Sequence, residues 1–274
     1  MKSSAPTLIH VMPSRGSGKQ GKVTAVTSLG DDVFVMHLCN EQQVEVYDAR
    51  TFTLKRHIHI TVAGSWGLAA CAHYKCLYIS DGENASIHRA ELSGSNAVKH
   101  WSVASGPRGL SVNKAHNVVV ACVEADKIQE YTTHGTLVRE IWLLRSGVTL
   151  PWHAVQLSTG HYAVSECKSP TVVSVVGVDG QVVRSYSPSQ VSYVVSCPTS
   201  LAVTKNDDIL VADARNNIIL AMNSSLSSAQ ELTLPVDDVI QGPSGLCLDE
   251  SRARLYVGEC GGSYRLLVFD CVIL

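Results

Sequence analysis

One histidine and two carboxylates are the residues with the clearest potential for catalysis. His153 lies in a strand-like segment, LPWHAVQL, whereas Glu166 and Asp213 end other apolar segments. Imidazole and carboxylate groups bind catalytic metal ions, and such a centre needs three convergent ligands and one open coordination position. A serine nucleophile on a sharp turn would need a different motif, and the chain has no GxSxG sequence. Metal-dependent chemistry is therefore the catalytic alternative that the sequence leaves open.

Aromatic and basic side chains form a second candidate group, and their chemistry is that of a binding surface. Trp, Tyr and Arg are enriched in the hot spots of protein interfaces, and aromatic residues with basic neighbours also form platforms for single-stranded nucleic acid. The candidates for such a surface are Trp66, Arg108, Arg145, Trp152, Lys168, Tyr193 and Arg215.

The charge balance favours a protein or peptide as the partner of these residues. The chain of 274 residues has a formal net charge of −2. The candidate segments also contain the acids Glu41, Asp81, Glu83, Glu124 and Asp126. Phosphate binding depends on a net positive potential, so these acids argue against nucleic acid. Single-stranded RNA is therefore the alternative, and not the favoured, partner on the same surface. We expect no small-molecule substrate and no cofactor.

The N-terminus, the apolar runs and the cysteines indicate where in the cell the chain is expected to reside. The N-terminus lacks an apolar signal-peptide core, and no apolar run approaches the ~20 residues of a membrane span. We therefore expect a cytoplasmic protein without a membrane partner. The nine Cys include no CxxC pair, which argues against a structural zinc site. Cys71 and Cys76 flank AHYK and are expected to face each other across a hairpin, with or without a disulfide.

A short phrase, a turn followed by an apolar strand, recurs along the whole chain. Its copies are SWGLAA at Ser65, GPRGLSV at Gly106, LPWHAVQL at Leu150, CPTSLAV at Cys197, GPSGLCL at Gly242 and a weaker KVTAVTS at Lys22. Aligned, they place Thr24, Gly67, Gly109, His153, Ser200 and Gly245 at one position, at intervals of 43, 42, 44, 47 and 45 residues. This spacing is typical of the four-stranded blades of a β-propeller.

Each repeat continues with a second apolar strand, a polar loop, a third strand and a more polar fourth strand. We predict an all-β fold, a six-bladed β-propeller of four-stranded antiparallel blades that forms one domain over residues 1–274. The blades are expected near residues 22–60, 64–103, 106–145, 150–188, 197–234 and 242–274. The last repeat lacks a fourth strand, so TLIHVM at 7–12 is expected to become the outer strand of blade 6 and close the ring.

The repeat from Pro198, PTSLAVTKNDDILVADARNNIILAMN, resembles the NHL repeat family. The match lies at Ala212, Asp213, Asn216, Asn217 and Ile219, and LYISDGENASI from Leu77 is a second copy. Where the family often has Arg after Asn-His, this chain has Ile218. The resemblance implies a six-bladed recognition module like the C-terminal propellers of TRIM-NHL ubiquitin ligases, which bind proteins or RNA. No segment resembles a RING finger, so the resemblance implies a targeting part without the catalytic part.

The aligned strand position argues against catalysis at the centre of the ring. It offers one good metal ligand, His153, together with two hydroxyls and three glycines. Six-bladed relatives include metal-dependent lactonases and lyases, which is why this activity is the second alternative. The sequence thus favours a non-catalytic recognition module over an enzyme, and Asp213, Asn216 and Asn217 are interpreted as architectural residues of the loop.

Overall fold

Six four-stranded antiparallel sheets form a closed ring in the computed structural model. The structure describes residues 6–12, 22–37, 43–93, 97–167, 173–186, 194–235, 239–262 and 264–271. The first strand of each sheet packs against the first strands of the two neighbouring sheets, and the last of these contacts joins blade 6 to blade 1. The predicted six-bladed β-propeller is confirmed.

The strands follow one another from the centre of the ring outward in each blade. Blade 1 contains β2 (Val23–Leu29), β3 (Asp32–His37), β4 (Gln43–Asp48) and β5 (Leu54–His59). Blade 2 contains β6 (Leu68–Cys71), β7 (Cys76–Asp81), β8 (Ser86–Glu91) and β9 (Val98–Ser102). Blade 3 contains β10 (Pro107–Val112), β11 (Val118–Cys122), β12 (Lys127–Tyr131) and β13 (Leu137–Trp142).

The other three blades have the same order. Blade 4 contains β14 (Pro151–Gln156), β15 (Tyr162–Glu166), β16 (Val173–Val176) and β17 (Val182–Ser185). Blade 5 contains β18 (Pro198–Val203), β19 (Ile209–Asp213), β20 (Ile218–Met222) and β21 (Ala229–Glu231). Blade 6 contains β22 (Pro243–Asp249), β23 (Arg254–Glu259), β24 (Leu266–Asp270) and, from the N-terminus, β1 (Thr7–Met12).

The second strands are apolar on both faces because both faces are buried. Every residue of β11, β15 and β19 is buried. Six clusters of buried apolar side chains result, each at the contact between two adjacent blades. The described part of the chain contains two single-turn 3-10 helices, Val123–Ala125 and Leu144–Ser146. None of its helices is long and apolar enough to cross a bilayer.

The ring closes through the N-terminal strand, as the sequence predicted. Strand β1 pairs with β24 in an antiparallel register from Thr7 opposite Asp270 to Met12 opposite Leu266. Side chains reinforce the closure: the His10 ring stacks on Phe52 of blade 1 at 4.6 Å, and the Arg254 guanidinium of blade 6 lies 5.1 Å from the same Phe52 ring. The edge of blade 6 is thereby covered.

The strand register of blade 1 differs by one residue from the sequence alignment of the repeats. The register shifts between Pro243 and Gly245 in blade 6, and between Val23 and Ala25 in blade 1. Ala25, and not Thr24, is therefore the structural equivalent of Gly245. The weak first copy of the repeat has no Pro or Gly in its turn, so the sequence alone misplaced it by one residue.

The cysteine hairpin has the predicted geometry, with two reduced thiols. Cys71 lies directly opposite Cys76 in the pairing of β6 with β7. Both residues are buried and free, and burial raises the pKa of Cys76. The pair therefore behaves as part of the apolar core between blades 2 and 3.

Candidate functional site

One rim of the ring carries both the loops after the second strands and the segments that enter the first strands. A backbone hydrogen bond ties the two together in successive blades. The amide of Val123 donates to the Gly106 carbonyl at 2.9 Å, and the amide of Cys167 donates to that of Leu150 at 3.0 Å. Trp66, Arg108 and Trp152 lie at the start of the first strands, at the entrance of the central channel on this side.

Three of the predicted residues come together at this entrance, on consecutive blades. Trp66, Arg108 and Trp152 each stand one residue before the aligned position of blades 2, 3 and 4. The indoles of Trp66 and Trp152 meet edge to face with ring centroids 5.6 Å apart. The Arg108 guanidinium carbon lies 5.6 Å from the Trp66 centroid and 5.0 Å from that of Trp152. We call this group the aromatic arc.

The backbone beneath the aromatic arc holds its members in place. The Ser80 hydroxyl of the second strand accepts hydrogen bonds from the amides of Trp66, at 3.3 Å, and Gly67, at 2.8 Å. Gly109 allows blades 3 and 4 to approach closely. A Cβ atom at this glycine would stand 2.7 Å from the Trp152 carbonyl and 2.5 Å from the His153 ring. The glycines therefore bring the three side chains within reach of one another.

Arg108 is the electrostatic centre of the aromatic arc. All three side chains of the arc are half-buried. The Nε atom of Arg108 is fully buried and has no hydrogen-bond partner among the described residues. Among the residues that the structure describes, Arg108 forms no ion pair, whereas Arg89 pairs with Glu91 and Arg265 pairs with Glu259. The arc therefore presents a positive charge between two aromatic faces.

The same bulge position carries short hydroxyl side chains in the other three blades. The Thr199 hydroxyl donates to the Pro243 carbonyl of the next blade at 2.8 Å. The Ser244 hydroxyl donates to the Val23 carbonyl across the ring closure, and Thr24 donates to the Met36 carbonyl at 3.4 Å. We call Thr24, Thr199 and Ser244 the hydroxyl arc. Its side chains are bound to the protein's own backbone.

His153 lines the central channel but is bound on both sides by backbone. The channel cavity has a volume of about 230 Å³ and is lined largely by small and aliphatic residues of the innermost strands. The Leu201 amide donates to Nδ1 of His153 at 2.9 Å, so Nε2 carries the proton and donates to the Leu110 carbonyl at 3.1 Å. Burial lowers the pKa of His153 to about 4. This imidazole is neutral and joins blades 3, 4 and 5.

The carboxylates Glu166 and Asp213 lie on the rim and accept backbone hydrogen bonds. Asp213 accepts from the amides of Ser196 at 2.7 Å and Cys197 at 2.9 Å, and from the Asn216 side chain at 2.9 Å. Glu166 accepts from the Thr149 amide at 3.1 Å. Both carboxylates therefore fix the segment that enters their own blade, as expected for an architectural Asp213.

Asn217 fits the same architectural interpretation. It has a φ of +60°, a left-handed conformation that Asn tolerates, and its side-chain oxygen accepts from the Gly242 amide at 2.7 Å. Within the ranges that the structure describes, no three His, Cys, Asp or Glu side chains converge in a way that could hold a metal ion.

The remaining candidates lie apart from the aromatic arc or outside the described residues. Arg145 is exposed in the single-turn helix between blades 3 and 4, and Arg215 is exposed in the loop after β19. Lys168 and Tyr193 fall outside the described residues. Sequence reasoning named the members of the aromatic arc but missed that they share one repeat position. The signal was present, since each precedes the aligned residue of its blade.

The fold is similar to solved structures of diverse proteins. A virginiamycin B lyase from Staphylococcus aureus matches with a TM-score of 0.69 and 10% identity, over 96% of this chain and 99% of that one. The hydrazine synthase of Kuenenia stuttgartiensis matches at 0.65 and 17% identity, over 89% and 77% of the chains. A chain of a nidogen/laminin complex matches at 0.65 and 17%, over 80% and 82%.

Sequence comparison adds no closer relationship. No protein-family profile matches the chain. Curated proteins likewise give no match. At the identities found for the solved structures, the likeness establishes the six-bladed β-propeller fold. Because enzymes and a protein of a binding complex share this fold, function has to be argued from the site.

Proposed function

We propose that this chain is a non-catalytic recognition module that binds a protein or peptide partner at the channel entrance. The observation that carries the proposal is the aromatic arc. Two indoles and a guanidinium are gathered there from three blades, half-buried and accessible from the rim. Trp and Arg clustered at the centre of a surface are the usual anchors of a protein interface.

The contrast with the hydroxyl arc supports a binding role. Side chains at this position can stabilise the ring by bonding to the neighbouring blade, as Thr199 and Ser244 do. Trp66, Arg108 and Trp152 instead contact one another, through an edge-to-face pair of indoles and cation–π contacts. A larger, partly exposed set of side chains that does not join the backbone of the next blade is better explained by an external contact.

Acidic residues beside the arc favour a peptide over RNA. Glu83 packs against Gly64 and Glu124 packs against Gly106, two residues before Trp66 and Arg108, and both glutamates are exposed. Their charge opposes a run of phosphates, whose binding would need several cations in line. Single-stranded RNA on this surface is therefore the less favoured partner.

The proposal of metal-dependent lactonase or lyase activity is less well supported by the side chains of the channel. His153 was its best candidate ligand, and both of its ring nitrogens are engaged by backbone. Glu166 and Asp213 are likewise committed to backbone amides. A metal would have to displace these bonds before it could bind.

A role as the targeting part of a TRIM-NHL-type ubiquitination system is a finer form of the proposal. Its support is the NHL-like segment around Asp213 and the propeller fold itself. The test is whether the partner of the aromatic arc becomes ubiquitinated in cells that contain this chain, and loses that modification when Trp152 is replaced by Ala.

Peptide display tests the proposal directly. Random peptides of about 12 residues on phage would be selected on the purified chain, resynthesised and measured by fluorescence anisotropy. We expect Trp66→Ala and Trp152→Ala each to weaken binding by about tenfold or more, which corresponds to about 1.4 kcal/mol. The control is Trp142→Ala, because this tryptophan is 56% exposed on the outer strand of blade 3.

Three results would overturn the proposal. One is a set of selected peptides whose affinity changes equally with all three tryptophan variants. Another is the absence of any peptide ligand together with binding of labelled single-stranded RNA that weakens steeply with salt. The third is a metal-dependent rise in melting temperature that is lost in His153→Gln.

A further inference from the structure

The position of Arg108 within the aromatic arc specifies the chemistry of the ligand further. Its guanidinium lies 5.0 and 5.6 Å from two indole centroids, which leaves it little freedom to reorient. Its Nε is fully buried without a partner among the described residues. Nε itself is out of reach of a ligand, but the side chain as a whole is half-buried, so an acceptor from outside would meet its remaining N–H groups.

We infer that the group recognised at the channel entrance is a single carboxylate of a peptide, held by Arg108 between Trp66 and Trp152. This inference rests on the proposed function. Guanidinium and carboxylate are both planar and pair through two parallel N–H···O bonds. The two indoles lie next to the guanidinium and would pack against the residue that carries the carboxylate.

The charges around Arg108 match a carboxylate better than a phosphate. Exposed Glu83 and Glu124 stand beside the arc, and one guanidinium can neutralise one negative charge. A phosphate group carries −1.5 to −2 charges near neutral pH. It would leave the pair with Arg108 negatively charged next to these two glutamates, whereas the pair of one carboxylate with Arg108 is neutral.

The carboxylate could belong to an Asp or Glu side chain or to a peptide C-terminus, and the same experiment separates the two. Each display-selected peptide would be resynthesised with every Asp or Glu changed to Asn or Gln in turn, and separately with an amidated C-terminus. Binding of each peptide would be measured on the unmodified chain, on Arg108→Gln and on Arg108→Lys.

We expect one neutralised carboxylate to weaken binding to the unmodified chain by about tenfold or more, and to change binding to Arg108→Gln by less than about twofold. Arg108→Lys should give an intermediate loss, because an ammonium keeps the charge but cannot form the two-bond pair. Arg145→Gln serves as the matched control, because Arg145 is an exposed arginine on the same rim. In Arg145→Gln, neutralising the same carboxylate should still weaken peptide binding by about tenfold or more.

The outcomes separate this inference from the proposed function. Peptides that need Trp66 and Trp152, but in which no carboxylate couples to Arg108, would overturn the inference and leave the proposed function intact. A phosphoserine at the acidic position that binds more tightly than Asp or Glu, again through Arg108, would assign the site to phosphorylated partners instead. Failure to select any peptide dependent on the arc would overturn both.

Discussion

The aromatic arc and the hydroxyl arc occupy the same backbone position on opposite halves of one ring. In blades 5, 6 and 1 the position holds Thr199, Ser244 and Thr24, whose hydroxyls donate to backbone carbonyls of the ring. In blades 2 to 4 it holds large side chains that contact one another. Residue differences at one repeat position thus make the two halves of an otherwise regular ring chemically different.

The difference shows how structural and recognition roles are divided within a repeat. The hydroxyl arc stabilises the contacts between blades, including the closure of blade 6 on blade 1. The aromatic arc leaves those contacts to the glycines beneath it and presents its side chains outward. We therefore expect substitutions in the first arc to change stability, and substitutions in the second to change binding.

The largest expected effect lies at the seam between the arcs, where His153 bonds to Leu110 on one side and Leu201 on the other. Its pKa is about 4 in the folded chain, against about 6.5 when unfolded. Between these values only the unfolded state binds the proton, so stability is complete above pH 6.5 and falls as the pH drops to 4. Integrated over this range, the loss is about 3 kcal/mol.

Urea unfolding of the unmodified chain and of His153→Gln between pH 4 and 7 checks this expectation. Glutamine does not titrate, so the variant should lack this part of the pH dependence while both proteins share that of the carboxylates. If the free energy of unfolding changed with pH in the same way in both proteins, His153 would not be held in its neutral form by its bonds to Leu110 and Leu201.

The next largest effect concerns the closure of the ring by β1, in the blade that also carries Ser244 of the hydroxyl arc. Deleting residues 1–13 removes β1 and exposes the edge of β24. We expect the melting temperature to fall by several degrees, with faster amide hydrogen exchange concentrated in blades 6 and 1. An unchanged melting curve would mean that β1 adds little to the closure that it covers.

A smaller difference should separate the two arcs when one side chain is changed in each. Thr199→Val leaves the Pro243 carbonyl without its donor and should cost about 1 kcal/mol. Arg108→Gln should change the free energy of unfolding by less than about 0.5 kcal/mol, because it loses a cation–π contact but also removes a buried donor without a partner. A larger loss from Arg108→Gln would give the aromatic arc a structural role.

The fold could be predicted because the repeats have a regular spacing and a recurring pattern of apolar residues. Turns such as GPRG and GPSG recur at blade intervals, and the surplus strand at Thr7–Met12 matches the missing strand after Asp270. The alignment failed only at Thr24, because the first copy of the repeat has no Pro or Gly that marks its turn, whereas the bulge itself recurs in blades 3 to 6.

The site could be predicted only in part, because its geometry depends on contacts between blades. Trp66, Arg108 and Trp152 were recognised by residue type, but their convergence follows from twist and close approach that spacing does not reveal. His153 has the chemistry of a metal ligand in the sequence. The structure gives it a different role, since the acceptors and donors that engage it come from Leu110 and Leu201 on neighbouring blades.

The indole resonances of the four tryptophans test the central claim most directly. A ¹⁵N-labelled chain would be titrated with the tightest peptide obtained by display, and the indole N–H signals would be followed to saturation. We predict that the signals of Trp66 and Trp152 shift with the binding curve, while those of Trp101 and Trp142, on the outer strands of blades 2 and 3, stay in place. Saturable binding with unchanged Trp66 and Trp152 signals would contradict the assignment of the aromatic arc as the recognition site.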